Sequence, residues 1–173
     1  GYLGARRTFL AQGARLLPVP VDENGIVVER LNAKPTNGAK LIYVTPSHQF
    51  PTGGVLPLTR RLELIRWAEA TGAVIVEDDY DSEFRYAGRP LSALRSLDED
   101  GRVIYVGTLS KLLFPSLRVG YLVAPPALAS AFRSARAVVD DQPAMATQPA
   151  LAAFFTSGQL AAHVRRMRQH YAR

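Results

Sequence analysis

Three short runs of uninterrupted apolar residues punctuate the chain: Leu41 to Val44, Ala73 to Val76 and Val103 to Val106. Each is the length of a strand and carries no polar residue, which predicts strands covered on both faces, as in parallel sheets. A fourth run, Gly120 to Ala124, predicts another strand. Helical periodicity fills the intervals. The clearest helix starts at Pro57 and ends at Gly72, with Leu58, Leu62, Ile65 and Ala68 as its inner stripe and Arg60, Arg61, Glu63 and Glu69 outside. Further helices are predicted over Ala5 to Gln12, Ile26 to Ala33, Ser92 to Leu97, Ala127 to Val138 and Gln148 to Phe155. A last one places Leu160, Val164, Met167 and Tyr171 on one face. Arg15 to Val21 alternates towards a strand, which Pro18 and Pro20 confine to an irregular or edge position. Strands alternating with helices predict an α/β fold with a mostly parallel sheet and helices on both faces.

Ligands in such folds bind beyond the carboxyl ends of the strands. Three polar clusters follow three of the predicted strands: Ser47 to Gly54, Glu77 to Glu83, and Thr108 to Lys111. Their convergence on one edge predicts a site. In the third cluster Thr108, Ser110 and Lys111 stand close together, and Arg118 lies seven residues on. Hydroxyls and a guanidinium suit a phosphate, and a lysine of lowered pKa can form a Schiff base with a carbonyl. Taken alone, Glu77-Asp78-Asp79 has three readings: a magnesium site, a solvated acidic turn, or a carboxylate that pairs with a protonated ring nitrogen. A magnesium–phosphate site calls for a phosphate-cradling Gly-x-x-x-x-Gly-Lys loop, and the sequence has none. The third reading combines with Lys111 to meet the demands of pyridoxal phosphate.

Composition adds bounds. The 173 residues are 47% hydrophobic and 21% charged, enough for one ordinary domain with a full core. No apolar run approaches the ~20 residues of a membrane span. The absence of cysteine excludes disulfides and thiolate metal sites. A net charge of +6 comes largely from arginines, with Arg165, Arg166, Arg168 and Arg173 bunched at the end, a cluster that suits a nucleic-acid contact but reads more readily as the wet face of the last helix. The chain opens on Gly1 and stops inside a helical pattern, which reads as a piece of a longer protein.

Ala73-Val-Ile-Val-Glu-Asp-Asp-Tyr80, Thr108-Leu-Ser-Lys111 and Arg118-Val-Gly-Tyr121 together resemble the large domain of fold-type I pyridoxal-phosphate-dependent aminotransferases. Thr45-Pro-Ser-His-Gln-Phe-Pro-Thr-Gly53, Glu77 to Tyr86 and His163-Val-Arg-Arg-Met-Arg168 resemble, more narrowly, the MocR subfamily of GntR-type bacterial regulators. Those proteins join a winged helix-turn-helix to an aminotransferase-like domain. The resemblance implies that residues 1–173 are part of that large domain, without the winged helix and the C-terminal small domain. It implies a cytoplasmic homodimer, DNA contact through the N-terminal domain, and an amine or amino-acid effector. The effector would exchange with Lys111 to form an external aldimine. It further implies roles: Lys111 as Schiff-base lysine, Asp78 on the pyridine nitrogen, Tyr80 on the ring's phenolic oxygen, Thr108, Ser110 and Arg118 on the phosphate, and Tyr2 stacked on the ring. His48 is expected near the ring oxygen. One departure matters: aminotransferases carry Asn-Pro-Thr-Gly where this chain has Phe50-Pro-Thr-Gly53. That favours a regulator over an efficient transaminase, the alternative function.

Overall fold

A computed structural model describes residues 1–33, 38–84, 91–141 and 145–172. Among these, the chain divides into two compact units, one built from residues 1–82 and 91–125, the other from 83–84 and 126–172.

The first unit is built on a four-stranded sheet of β3 (Leu41–Val44), β4 (Val74–Asp79), β5 (Val103–Thr108) and β6 (Gly120–Val123), in that spatial order. The first three are parallel and β6 runs antiparallel to β5. A separate hairpin pairs β1 (Val21–Asp22) with β2 (Gly25–Ile26). Register aligns Ile42 with Ile75 and Ile75 with Val103, so three branched side chains form one row. Against that row packs α2 (Leu58–Thr71) through Leu64, Ile65 and Ala68, all but fully buried. Gly72 ends α2 in the left-handed conformation, at φ 71°. The opposite face of the sheet meets α1 (Leu3–Ala11), whose Phe9 lies edge-on to Tyr43 of β3 at 6.3 Å between ring centres. Helices therefore stand on both faces, as the alternation predicts.

Several expectations change. The acidic run does not follow β4 but forms its last three positions, because Glu77, Asp78 and Asp79 pair in register with Tyr105, Val106 and Gly107 of β5. β4 is not sealed on both faces: Ile75, Glu77 and Asp79 are buried while Val74, Val76 and Asp78 are half-buried. On α2 the inner stripe is rotated. Leu58 is exposed, and Arg61, expected on the outside, is wholly buried. Residues 14–20 form no strand, and the expected helix over 26–33 is a 3-10 turn, Val28–Asn32. Short α3 (Leu94–Leu97) lies within the range predicted for it.

The second unit contains α4 (Pro126–Asp140), α5 (Thr147–Thr156) and α6 (Gln159–Tyr171). Phe154 and His163 bring α5 and α6 together, with ring centres 6.4 Å apart. Leu160, Val164 and Met167 are partly covered on α6, and Tyr171 meets the ring of Phe84 at 5.4 Å. Arg165, Arg166 and Arg168 are exposed, as expected of a wet face; Arg173 and residues 85–90 lie outside the described residues.

Candidate functional site

The carboxyl ends of β3, β4 and β5 bring the three polar clusters to one edge of the sheet. Beside that edge, within the first unit, is an open cleft of about 390 Å³. Its walls are a stripe of α1 (Gly4, Ala5, Thr8, Phe9), the half-buried face of the strands (Tyr43, Val76, Asp78, Val106) and Tyr2. The spacing i, i+1, i+4, i+5 puts the four helical residues on one face. Gly4, Ala5 and Thr8 are small and leave room for a ligand between helix and sheet.

Asp78 faces this cleft. Its Oδ2 accepts a hydrogen bond from the Tyr43 hydroxyl, and among the described residues none is made to Oδ1. Burial pushes its carboxyl up, against the pull of the Tyr43 bond, and the neighbouring charges of Asp79 and Asp81 add to the rise. A half-buried carboxylate with one oxygen to spare suits a cation in the cleft.

Tyr2 lines the same cleft. Its ring lies over Gly4 so closely that a Cβ there would sit 2.6 Å from a ring carbon, which makes glycine a requirement of that pose. Phe50 joins Tyr2 to Tyr80 in a chain of edge-on contacts, 6.2 and 6.4 Å between ring centres. Tyr80, the first residue past β4, donates its hydroxyl to the carbonyl of His48 at 3.0 Å and stacks on the His48 ring. His48 Nδ1 is 2.7 Å from Asp81 Oδ2. The Phe50–Pro51 peptide is cis.

The remaining predicted residues cluster between β5 and β6. Thr108 ends β5, two residues past Val106 and on the same face; its hydroxyl accepts from the Ser110 amide at 3.2 Å. Lys111 follows in an exposed turn. Thr108 pairs with Gly120 and the Leu109 amide donates to the Val119 carbonyl, so the chain returns beside itself and brings Arg118 to the same end. Arg118 is exposed and left-handed, at φ 51°. Among the described residues neither Lys111 nor Arg118 has an ion pair. The structure thus joins Tyr2 with Asp78, Tyr2 with Tyr80 through Phe50, and Thr108 with Ser110, while strand register holds the groups on one edge. Among the described residues no direct contact links Lys111 to Asp78, and no group of three histidine, aspartate or glutamate side chains is placed to hold a metal ion.

Residues 5–173 match the model of the family "Aminotransferase class I and II". The chain belongs to that family. It is 46% identical over 172 residues to the probable rhizopine catabolism regulatory protein MocR of Rhizobium meliloti, covering 99% of this chain and 34% of that protein. It is 41% identical to the pyridoxine biosynthesis transcriptional regulator PdxR of Corynebacterium glutamicum, covering 99% of this chain and 37% of that one. The chain therefore spans about a third of the length of these curated relatives. The resemblance to MocR-type regulators holds across nearly the whole chain. Among solved structures, kynurenine aminotransferase of Pyrococcus horikoshii superposes with a TM-score of 0.93 at 31% identity, over 99% of this chain and 44% of that one. LysN of Thermus thermophilus, in complex with N-(5'-phosphopyridoxyl)-L-leucine, superposes at 0.88 with 32% identity, over 97% and 44%. The fold-type I large-domain architecture is thereby established.

Pyridoxal phosphate is the cofactor this family brings to the site. The residues present fit it: a cleft of ligand size, a half-buried carboxylate for a ring cation, hydroxyls with a guanidinium for a phosphate, and the exposed amine of Lys111. The sequence reading missed Tyr43 and the α1 wall. Tyr43 sat unnoticed inside an apolar run, although its parallel pairing with Val76 puts it on the Asp78 face. Apart from Phe9 the α1 stripe is made of small residues, Gly4, Ala5 and Thr8, so its amphipathic signal is weak.

Among the described residues no helix is long and apolar enough to cross a membrane.

Proposed function

We propose that this chain is the cofactor-binding, amine-sensing part of a MocR-type transcriptional regulator, whose DNA contact is made by an N-terminal domain of the full-length protein. When bound, pyridoxal phosphate supplies an aldehyde that condenses reversibly with primary amines. Lys111 provides the amine of the resting protein, and an effector amine takes its place. Asp78 holds the ring nitrogen protonated, Tyr2 covers a ring face, and Tyr80 exchanges the His48 carbonyl for the ring's phenolic oxygen. Thr108, Ser110 and Arg118 hold the phosphate. Burial and the adjacent Asp81 and Asp78 charges push the Tyr80 phenol up to about 12, which keeps it a hydrogen-bond donor at neutral pH.

Phe50 carries the choice of sensor over enzyme. It stands edge-on between Tyr2 and Tyr80 and offers no polar atom to the ring oxygen, where an asparagine would donate. One donor fewer at a charged oxygen costs on the order of 1.5–3 kcal/mol, roughly tenfold to a hundredfold in any step that moves charge through the ring. The relatives' names support the same choice.

The test uses the full-length protein loaded with pyridoxal phosphate. Borohydride reduction followed by mass spectrometry is expected to place the adduct on Lys111, and Lys111→Ala to lose both adduct and visible absorbance. Amines are expected to change the spectrum and the affinity for operator DNA without sustained formation of keto acid. An adduct on another lysine defeats the site; steady turnover with 2-oxoglutarate makes the protein an aminotransferase.

A further inference from the structure

We propose that Tyr43 is a positioning residue for the cofactor, resting on the assignment of Asp78 to the ring nitrogen given above: its hydroxyl, reaching across from β3, fixes the Asp78 carboxylate by Oδ2 and leaves Oδ1 as the acceptor for the ring. The placement follows from register. Tyr43 pairs with Val76, so Asp78 lies two residues further along the neighbouring strand on the same face. A phenol is long enough to span that offset; a serine or threonine is not. The ring is fixed independently of its hydroxyl, wedged against Phe9 of α1 and forming part of the cleft wall.

Charge gives the contact its purpose. Burial raises the Asp78 carboxyl, and the hydrogen bond from Tyr43 is the interaction that works against it. The groups facing Asp78 otherwise give no help: Asp79 and Asp81 repel its charge, and Tyr2 and Tyr80 bring no positive charge. Tyr43 itself is held far above the usual tyrosine range, by burial first and then by Asp78, so it remains a donor at every physiological pH. Without that donor Asp78 would keep its proton to higher pH and present a neutral acid to a cationic ring.

The experiment is a titration of the full-length apoprotein with pyridoxal phosphate, followed by absorbance across pH, for wild type, Tyr43→Phe, Asp78→Asn and the double variant. Tyr43→Phe is expected to raise Kd roughly tenfold to a hundredfold, the range for losing a hydrogen bond to a charged group. The loss should be larger at acid than at alkaline pH. In the Asp78→Asn background the same change should cost nothing further, since its effect runs through the carboxylate. An equal cost in both backgrounds, or wild-type affinity for Tyr43→Phe at every pH, overturns the proposal. If Asp78→Asn itself binds like wild type, the assignment of Asp78 fails instead, and the two failures are distinct. Should Tyr43→Phe not fold, 3-fluorotyrosine at position 43 serves: its more acidic hydroxyl should improve binding at low pH, and an unmoved profile is equally fatal.

Discussion

The two faces of β4 carry the same chemical groups to opposite ends. Glu77 and Asp79 point into the core side, Asp78 into the cleft. Glu77 is consumed by structure. Its two oxygens accept the amides of Leu94 and Arg95 at 2.8 and 2.9 Å, which caps α3, and Arg61 lies 3.9 Å away. Asp79 accepts the hydroxyls of Ser82 at 2.7 Å and Tyr105 at 2.9 Å on one oxygen. Asp78 is held by a single phenol and spends nothing on the backbone. A strand end with three consecutive carboxylates thus sorts them by parity: the inward pair ties loops together, and the one between them faces the ligand. Acidity alone marks none of them as functional, nor does a spare oxygen, since among the described residues Asp79 Oδ1 is also without a partner; the face that carries each one does.

The largest effect should come from breaking the inward half. The Arg61 guanidinium is wholly buried and donates to the carbonyls of Pro46, Leu56 and Ser92 at 2.8, 2.8 and 3.0 Å. Two of those carbonyls flank the loop that bears His48 and Phe50. Arg61→Leu takes a donor from all three carbonyls, of which Pro46 keeps the Leu56 amide, and leaves Glu77 without its counter-ion, an expected loss of ~3–5 kcal/mol in urea denaturation. Adding Glu77→Gln should recover part of that loss, because the remaining charge is then gone. Near-wild-type stability in the single variant would mean that this face does not hold the loop.

Next in size is the contrast between neighbours. Asp78→Asn should weaken cofactor binding by about 3–5 kcal/mol, a hundredfold or more, and change stability little. Asp79→Asn should reverse that pattern, costing about 1–3 kcal/mol of stability as the Ser82 and Tyr105 hydroxyls lose a charged acceptor, with the cofactor still bound. Thermal melts and cofactor titrations on the two proteins suffice. Cofactor loss in the Asp79 variant alone would put the wrong face towards the cleft.

Much of this arrangement is legible in the order of residues. Unbroken apolar runs located β3 and the starts of β4 and β5, and the polar clusters that follow them do lie on one edge. The limit of β4 was not legible, because a charged residue within a strand is indistinguishable in a pattern from one beyond it. The burial of Arg61 was hidden for a related reason: its acceptors are backbone carbonyls at Pro46, Leu56 and Ser92, whose approach depends on tertiary structure. Arg15 to Val21 alternates as a strand does, yet among the described residues its ladder pairing is limited to Val21 in the β1–β2 hairpin. Two prolines remove the donors that further pairing would need. The roles of Lys111, Thr108, Ser110 and Arg118 came from motif resemblance, since exposed polar side chains on turns have no packing signature.

The smallest expected effect sharpens the comparison by adding a carboxylate that is neither buried nor in the cleft. Asp22, at the hairpin, meets Arg60 of α2 through two bonds of 2.6 Å, one to each oxygen. That hydrogen-bonded guanidinium lowers its carboxyl below the ordinary value of 3.8, whereas burial raises Glu77 and Asp78. The signs of the linked stability then differ. For Asp22 the unfolded chain binds the proton more tightly, so its contribution is present above the ordinary value and is lost as pH falls through the lowered one. For Glu77 and Asp78 the folded chain binds the proton more tightly, so stability falls as pH rises from the ordinary value through the raised one. Thermal melts of wild type and Asp22→Asn should differ by a small, constant amount near neutrality, and the gap should close in acid. Because the pair is still partly open to solvent, added salt should narrow it at every pH. A gap that widens on acidification would mean that the Asp22 carboxylate is strained by its partner rather than held by it.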